Sequence, residues 1–314
     1  MLPILRLIRY KNLIIIALLQ VLIRYGLIIP ILNHFGYEAG FTDKRFIILV
    51  ISTLFLAASG YVINDYFDIK IDRINRPDKM VIDKKIKRRE AMFLHVIFTF
   101  CGVFMGLFLS YVLRKESYAL MYILIPAFLW YYSTTFKKQG LIGNIIVSAL
   151  IALVAILVVS AEFSALYRVY GASIIESEAC STAWFWTLGF AFFAFVVNLT
   201  REIIKDLEDM EGDEKGGCQT VPIIIGVPYT KAVIGLLTIF ILVVIWLLYY
   251  SIDRLGGDTF TFAYFMIFIT LPLISSLIYL FKISTAKGYH QLSTMYKLIM
   301  FFGVLYVFVA GQLF

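Results

Sequence analysis

The chain has 314 residues, of which 61% are hydrophobic and only 16% charged, and its mean hydropathy is +0.88. A soluble domain of this length fills its core with far less apolar content, so a soluble enzyme is excluded and no nucleic-acid partner is implied. The net charge of +7 comes from 28 Lys and Arg against 21 Asp and Glu, and it matters through its placement along the chain.

Long apolar runs recur throughout, each close to the ~20 residues a helix needs to cross a bilayer. Nine spans are predicted, over 12–32, 46–66, 91–113, 118–136, 141–163, 184–205, 231–250, 259–281 and 294–314. The first is read as a retained span and not as a signal peptide: it is too long, contains Gln20 and Arg24, and lacks a small-residue cleavage site. The expected fold is therefore all-α, a polytopic membrane protein forming one domain over 1–314. The 164–183 stretch is expected as a surface excursion on the outer side. Cys101, Cys180 and Cys218 are scattered, with neither metal spacing nor a disulfide framework.

Alternating the loops between two sides separates the charges. Lys and Arg crowd the N-terminus, the 67–90 loop, Lys137 and Lys138, the 201–231 region and the 282–297 region. The opposite side holds only Lys44, Arg45, Arg114, Lys115, Arg168 and Arg254. By the positive-inside rule the N-terminus and the crowded loops are cytoplasmic.

Span 2 runs into NDYFDIKIDRINRPDK, and span 6 into NLTREIIKDLEDMEGDEKGG. Asp65, Asp68 and Asp72 share the i, i+3, i+7 spacing of Asp206, Asp209 and Asp213. On a helix these offsets fall within an arc of roughly 60°, so each trio faces one way. Such carboxylates repel one another and are costly to desolvate unless a cation joins them. Oxygen ligands without His or Cys suit Mg²⁺, which takes substrate phosphate oxygens as further ligands. Two facing trios thus suggest Mg²⁺ ions holding a diphosphate. Lys70, Arg73, Arg76 and Lys79 beside the first trio, Arg201 and Lys205 beside the second, and Lys137 and Lys138 between spans 4 and 5 are placed to finish its neutralisation. A pair of solvated loop ends is the simpler alternative, and the identical spacing on one membrane side argues against it.

Arg24, about 18 Å along span 1, is an intramembrane arginine and a candidate substrate contact. An ion pair within the bundle or snorkelling to the interface are its alternatives. His34, His95 and His290 are isolated, and Glu202, Glu208 and Glu211 are placed off the metal-facing side. A transporter would carry its acids at the membrane midplane on broken helices. A CDP-alcohol phosphotransferase would continue its motif as D-G-x-x-A-R, which this chain lacks.

N-D-x-x-D-x-x-x-D after span 2 and K-D-x-x-D-x-x-G-D after span 6 together resemble the UbiA family of intramembrane prenyltransferases. Arg9 with Asn12, Asn75-Arg76-Pro77, Tyr132-Ser133, Lys137-Lys138, Gly143-Asn144 and Gln219-Thr220-Val221-Pro222 extend the resemblance over nearly the whole chain. Within the family, REIIKDLEDMEGD is most similar to archaeal-type enzymes that move a geranylgeranyl group onto a glycerol-phosphate ether lipid. The resemblance implies helices around a central cavity with a cytoplasmic cap, and transfer of a prenyl group from its diphosphate to a lipophilic acceptor. It also implies Mg²⁺ held by Asn64, Asp65, Asp68 and Asp72 on one side and by Asp206, Asp209 and Asp213 on the other, Asp213 having as its alternatives a place behind the metal ligands or a role on the acceptor side. Catalytic weight falls on Asp65, Asp68, Asp206 and Asp209, and substrate contacts on Asn12, Asn64, Arg76, Tyr132, Lys137, Lys138, Arg201 and Lys205. An aromatic acceptor such as 4-hydroxybenzoate is the alternative to the lipid. After the first motif relatives read R-P-x-R-P-x-x-x-G, whereas this chain has RPDKMVIDK, with Met80 for the second proline and Lys84 for the glycine.

Overall fold

The computed structural model describes residues 2–314, apart from the side chain of Lys79. In chain order the helices are α1 (Leu2–Leu7), α2 (Tyr10–His34), α3 (Asp43–Phe67), α4 (Ile69–Asn75), α5 (Arg88–Leu113) and α6 (Glu116–Thr134). They continue as α7 (Gly140–Tyr170), α8 (Glu178–Lys215), α9 (Val221–Ile225), α10 (Val227–Ser251), α11 (Thr259–Lys282) and α12 (Ala286–Ala310).

Among the described residues, eight helices are long and apolar enough to cross a membrane. The ninth predicted span is α6, whose 19 residues reach about 28 Å. Tyr118, Tyr122, Trp130, Tyr131 and Tyr132 dilute its hydropathy. Phe93, Phe100, Phe104, Leu236 and Phe281 point outward and are each more than half exposed, as befits side chains that meet lipid tails. The protein is an integral membrane protein.

Two spans are loosened at one point each. The backbone is π-helical over Leu22–Ile28 in α2 and over Phe265–Thr270 in α11. In both cases a proline follows within two residues, Pro30 and Pro272, and its missing N–H shifts the hydrogen-bond ladder one turn back.

The core is divided by position. One apolar cluster joins α2, α3, α7 and α8, and a second joins α8 to α10, α11 and α12. A third, of Leu7, Val62, Ile69, Val81, Ile82, Ile86 and Ala91, underlies the segment that follows the first Asp motif. That segment is a cap: α4, a short turn over Pro77–Lys79, and a tight loop in which the Ile86 N–H donates to the Val81 carbonyl at 3.1 Å.

Two expectations change. The 164–183 stretch is mostly helix, because α7 runs on to Tyr170 with Ala165 and Leu166 buried, and Ser177 caps α8 by accepting from the Cys180 N–H. The second Asp trio lies on one unbroken helix, but the first does not. The regular helix of α3 ends at Phe67, and Asp68 forms the joint with α4.

Candidate active site

Helices α2, α3, α6, α7, α8 and α12 enclose a cavity of about 530 Å³, within the range of small-molecule pockets. All six motif aspartates line its mouth, together with Asn12, Asn64, Arg76, Tyr132, Lys137, Arg201 and Lys205. Its inner part is apolar, lined by Leu56, Ile125, Leu129, Leu150 and Leu157. Measured along α3 from Asp68 to Thr53, both of which line it, the cavity runs about 22 Å into the bundle.

Four of the six carboxylates are held by specific neighbours. Arg9, at the left-handed bend between α1 and α2, donates to Asp65 at 2.8 Å. Asp68 accepts from Asn64 Nδ2 at 2.8 Å and forms an ion pair with Lys137. Asp206 accepts from Asn144 at 2.8 Å. Asp209 takes the Arg76 guanidinium at 2.6 and 2.8 Å, and the same group reaches Glu208 at 3.2 Å.

The loops are built to present these groups. Gln219 N donates to the Lys138 carbonyl at 2.9 Å, tying the Lys137 turn to the chain after α8. Gly143 lies under that turn, where a Cβ would come within 2.8 Å of the Phe136 carbonyl. Across the mouth, Asn75 Nδ2 donates to the Asp209 carbonyl and Asn75 Oδ1 accepts from the Gly212 N–H, both at 2.9 Å. One asparagine therefore docks the cap on the second Asp helix. The departure from relatives lies within the cap. Lys84 donates to the Pro77 carbonyl at 2.6 Å, and Arg73 and Arg88 converge on Asp83, whose φ is +67°. Met80, Val81 and Ile82 turn inward and line the cavity as an apolar lid.

Burial and the neighbouring Asp68 and Asp65 carboxylates push Asp72 up to about 6. Burial opposes the charge of Lys137, but Asp68 outweighs it and holds the ammonium above its usual range.

The donor set fits Mg²⁺ in kind: six carboxylates at one mouth, and a buried Asn64 Oδ1 that accepts no hydrogen bond. Among the described residues no three acids, His or Cys converge closely enough to hold an ion as they stand, and Asp65, Asp68 and Asp209 are paired with Arg9, Lys137 and Arg76.

Several candidates lie elsewhere. Arg24 is not at the site. Its buried guanidinium donates to Asp43 at 2.7 Å, Tyr25 at 2.9 Å, Glu162 at 3.4 Å and the Phe41 carbonyl. Glu162 in turn accepts from the Gly40 and Phe41 N–H groups at 2.7 and 2.8 Å. This cluster staples the loop before α3 to α7 at the opposite membrane face, so the ion-pair alternative is the one observed. Lys70 and Lys138 are exposed and do not line the cavity. Glu202, set aside on the sequence, does line it, paired with Lys205 at 2.8 Å and Arg201 at 3.0 Å. Its offset of four residues from Asp206 and seven from Asp209 puts it inside the Asp arc, a signal the sequence already contained. Glu208 also has partners, Arg76 and His290. Arg9, Asn144 and Lys297 are further cavity residues not singled out beforehand as site residues.

A helical membrane bundle whose acid-lined mouth opens into an apolar interior defines an enzyme for amphiphiles with an anionic head and a hydrocarbon tail. The chain belongs to the UbiA prenyltransferase family, whose model matches residues 27–309. It is 30% identical over 290 residues to the digeranylgeranylglyceryl phosphate synthase of Methanosphaera stadtmanae, covering 90% of each chain. To the synthase of that name from Sulfurisphaera tokodaii it is 28% identical over 270 residues, 86% of each. A solved structure of digeranylgeranylglyceryl phosphate synthase superposes with a TM-score of 0.63 at 25% identity, covering 98% of this chain and 97% of that one. A UbiA homologue from Archaeoglobus fulgidus bound to DMAPP and Mg²⁺ shares the fold, with a TM-score of 0.56 at 17% identity over 98% of this chain and 99% of that one.

Proposed function

We propose that the protein, as one membrane domain over 1–314, transfers a geranylgeranyl group from its diphosphate to a glycerol-phosphate ether lipid. The mouth and N-terminus face the cytoplasm, in line with the crowding of Lys and Arg in those loops. The observation that carries the reading is the meeting of two Asp trios at the entrance to an apolar tunnel. The similarity to digeranylgeranylglyceryl phosphate synthases supports the acceptor class.

Asn64, Asp65, Asp68 and Asp72 would hold Mg²⁺ on the α3 side, and Asp206, Asp209 and Asp213 on the α8 side. When bound, Mg²⁺ neutralises the charge that builds on the diphosphate. Lys137 and Arg76, released from Asp68 and Asp209, are positioned to donate to the same headgroup. The prenyl chain lies in the tunnel, where the apolar walls and the Met80–Ile82 lid keep water from the allylic carbon. The C1–O bond to diphosphate breaks and a bond forms from C1 to the acceptor hydroxyl oxygen. The hydroxyl proton leaves with the departing diphosphate. Held orientation of the two substrates and stabilisation of the leaving group are all the protein has to supply.

Asp68→Asn and Asp209→Asn are expected to lower kcat/KM by about 10²-fold or more, the scale for removing one transition-state electrostatic contact. Full activity in either variant would sink the metal assignment.

A further inference from the structure

The cavity has a second charged wall that the donor site does not need. Arg9 at the bend before α2, Arg201 and Lys205 on α8, and Lys297 on α12 all line it. By the 100° step of the helix, Arg201 and Lys205 project about 90° round α8 from the Asp trio, so they form a separate face. Lys297 lies in the field of Arg201, Lys11 and Arg9.

These four cations are under-neutralised. Glu202 is shared by Arg201 and Lys205, and Arg9 has only Asp65, a carboxylate that a metal would recruit. Lys297 donates to the Asn12 amide oxygen at 2.8 Å and, among the described residues, pairs with no carboxylate. Arg201 Nε is buried with no hydrogen-bond partner. A crowd of cations with an orphaned N–H and only one carboxylate of its own is unstable in a low-dielectric cavity without an anion.

We infer that this wall is the subsite for the acceptor's phosphate, a phosphomonoester dianion bound by Arg9, Arg201, Lys205 and Lys297, with Asn12 orienting Lys297. The inference rests on the proposed transfer to a glycerol-phosphate lipid and gives that reading its specificity element. The donor headgroup has its own cations, Lys137 on the turn before α7 and Arg76 at the cap. Arg9 links the two subsites, because its guanidinium bridges from the phosphate wall to Asp65. The acceptor phosphate is thus held beside the metal site. A neutral or singly charged aromatic acceptor leaves this wall unbalanced.

The test compares geranylgeranylglyceryl phosphate with geranylgeranylglycerol, which lacks only the phosphate, in wild type and in Lys297→Gln, Lys297→Arg and Arg201→Gln. Binding is read by thermal shift without donor or metal, and transfer by KM for each substrate. The phosphate lipid, and not the neutral one, should stabilise wild type. Lys297→Gln and Arg201→Gln should raise its KM about 10- to 100-fold, the loss of one charge-assisted contact, and leave the KM of the prenyl diphosphate unchanged. Lys297→Arg should restore selection for the phosphate. Phosphate-dependent binding without any transfer would refute the proposed reaction and leave the subsite standing. Equal stabilisation by both lipids, or a rise confined to the prenyl diphosphate KM, would overturn the subsite.

Discussion

Replacing Gly212 by alanine probes how the cap is fastened over the site. A Cβ at Gly212 would lie 2.4 Å from Asn75 Oδ1 and 2.5 Å from its Cγ and Nδ2, so the asparagine side chain has to leave. It makes two hydrogen bonds there, to the Asp209 carbonyl and from the Gly212 N–H. Losing both costs about 2 kcal/mol, at roughly 1 kcal/mol each. Replacing a helix-interior glycine by alanine returns about 1 kcal/mol. The net loss of about 1 kcal/mol shifts cap docking roughly fivefold. Because Arg76, next to Asn75, carries the contact to Asp209, that loss should surface as a comparable rise in the KM for geranylgeranyl diphosphate. In an Asn75→Ala background the three crowding atoms are absent, so Gly212→Ala should change sign and stabilise by about 1 kcal/mol. Proteolysis within 76–87 reports cap release independently. An equal cost for Gly212→Ala in both backgrounds would refute the docking role of Asn75.

Two further expectations concern charge. Asp72 is pushed up to about 6, so below that pH it carries a proton that Mg²⁺ must displace. The Asp72 proton should then make apparent Mg²⁺ affinity fall by up to tenfold per pH unit beneath about pH 6, a slope that Asp72→Asn reduces; an unchanged slope in the variant would assign the proton elsewhere. Glu162→Gln breaks a fully buried pair with Arg24 and should lower stability by about 3–5 kcal/mol, with both substrate KM values kept at permissive temperature. A raised KM with an unchanged melting temperature would return Arg24 to the substrate site.

The spans were legible because lipid demands long apolar helices, and the predicted limits lie within a few residues of most observed ones. The exceptions follow from local causes. The α12 helix begins at Ala286, well before 294, because Thr285 caps it by accepting from the Gly288 N–H. The Asp trios were legible through helical spacing, which survives the joint at Asp68. Partnership across the fold was not legible. That Arg24 meets Glu162, 138 residues away, or that Lys297 faces Asn12, follows from packing that no local pattern encodes. The altered loop was visible as a departure, but its role as an apolar lid emerged only from the inward turn of Met80, Val81 and Ile82.

The most direct test is a transfer assay with the purified chain in lipid nanodiscs. Geranylgeranyl diphosphate and Mg²⁺ are supplied with either geranylgeranylglyceryl phosphate or 4-hydroxybenzoate, and products are identified by mass. The expected product is digeranylgeranylglyceryl phosphate with release of diphosphate, abolished by chelation and absent with the aromatic acid. Prenylation of 4-hydroxybenzoate alone, or transfer undiminished by chelation, would contradict it.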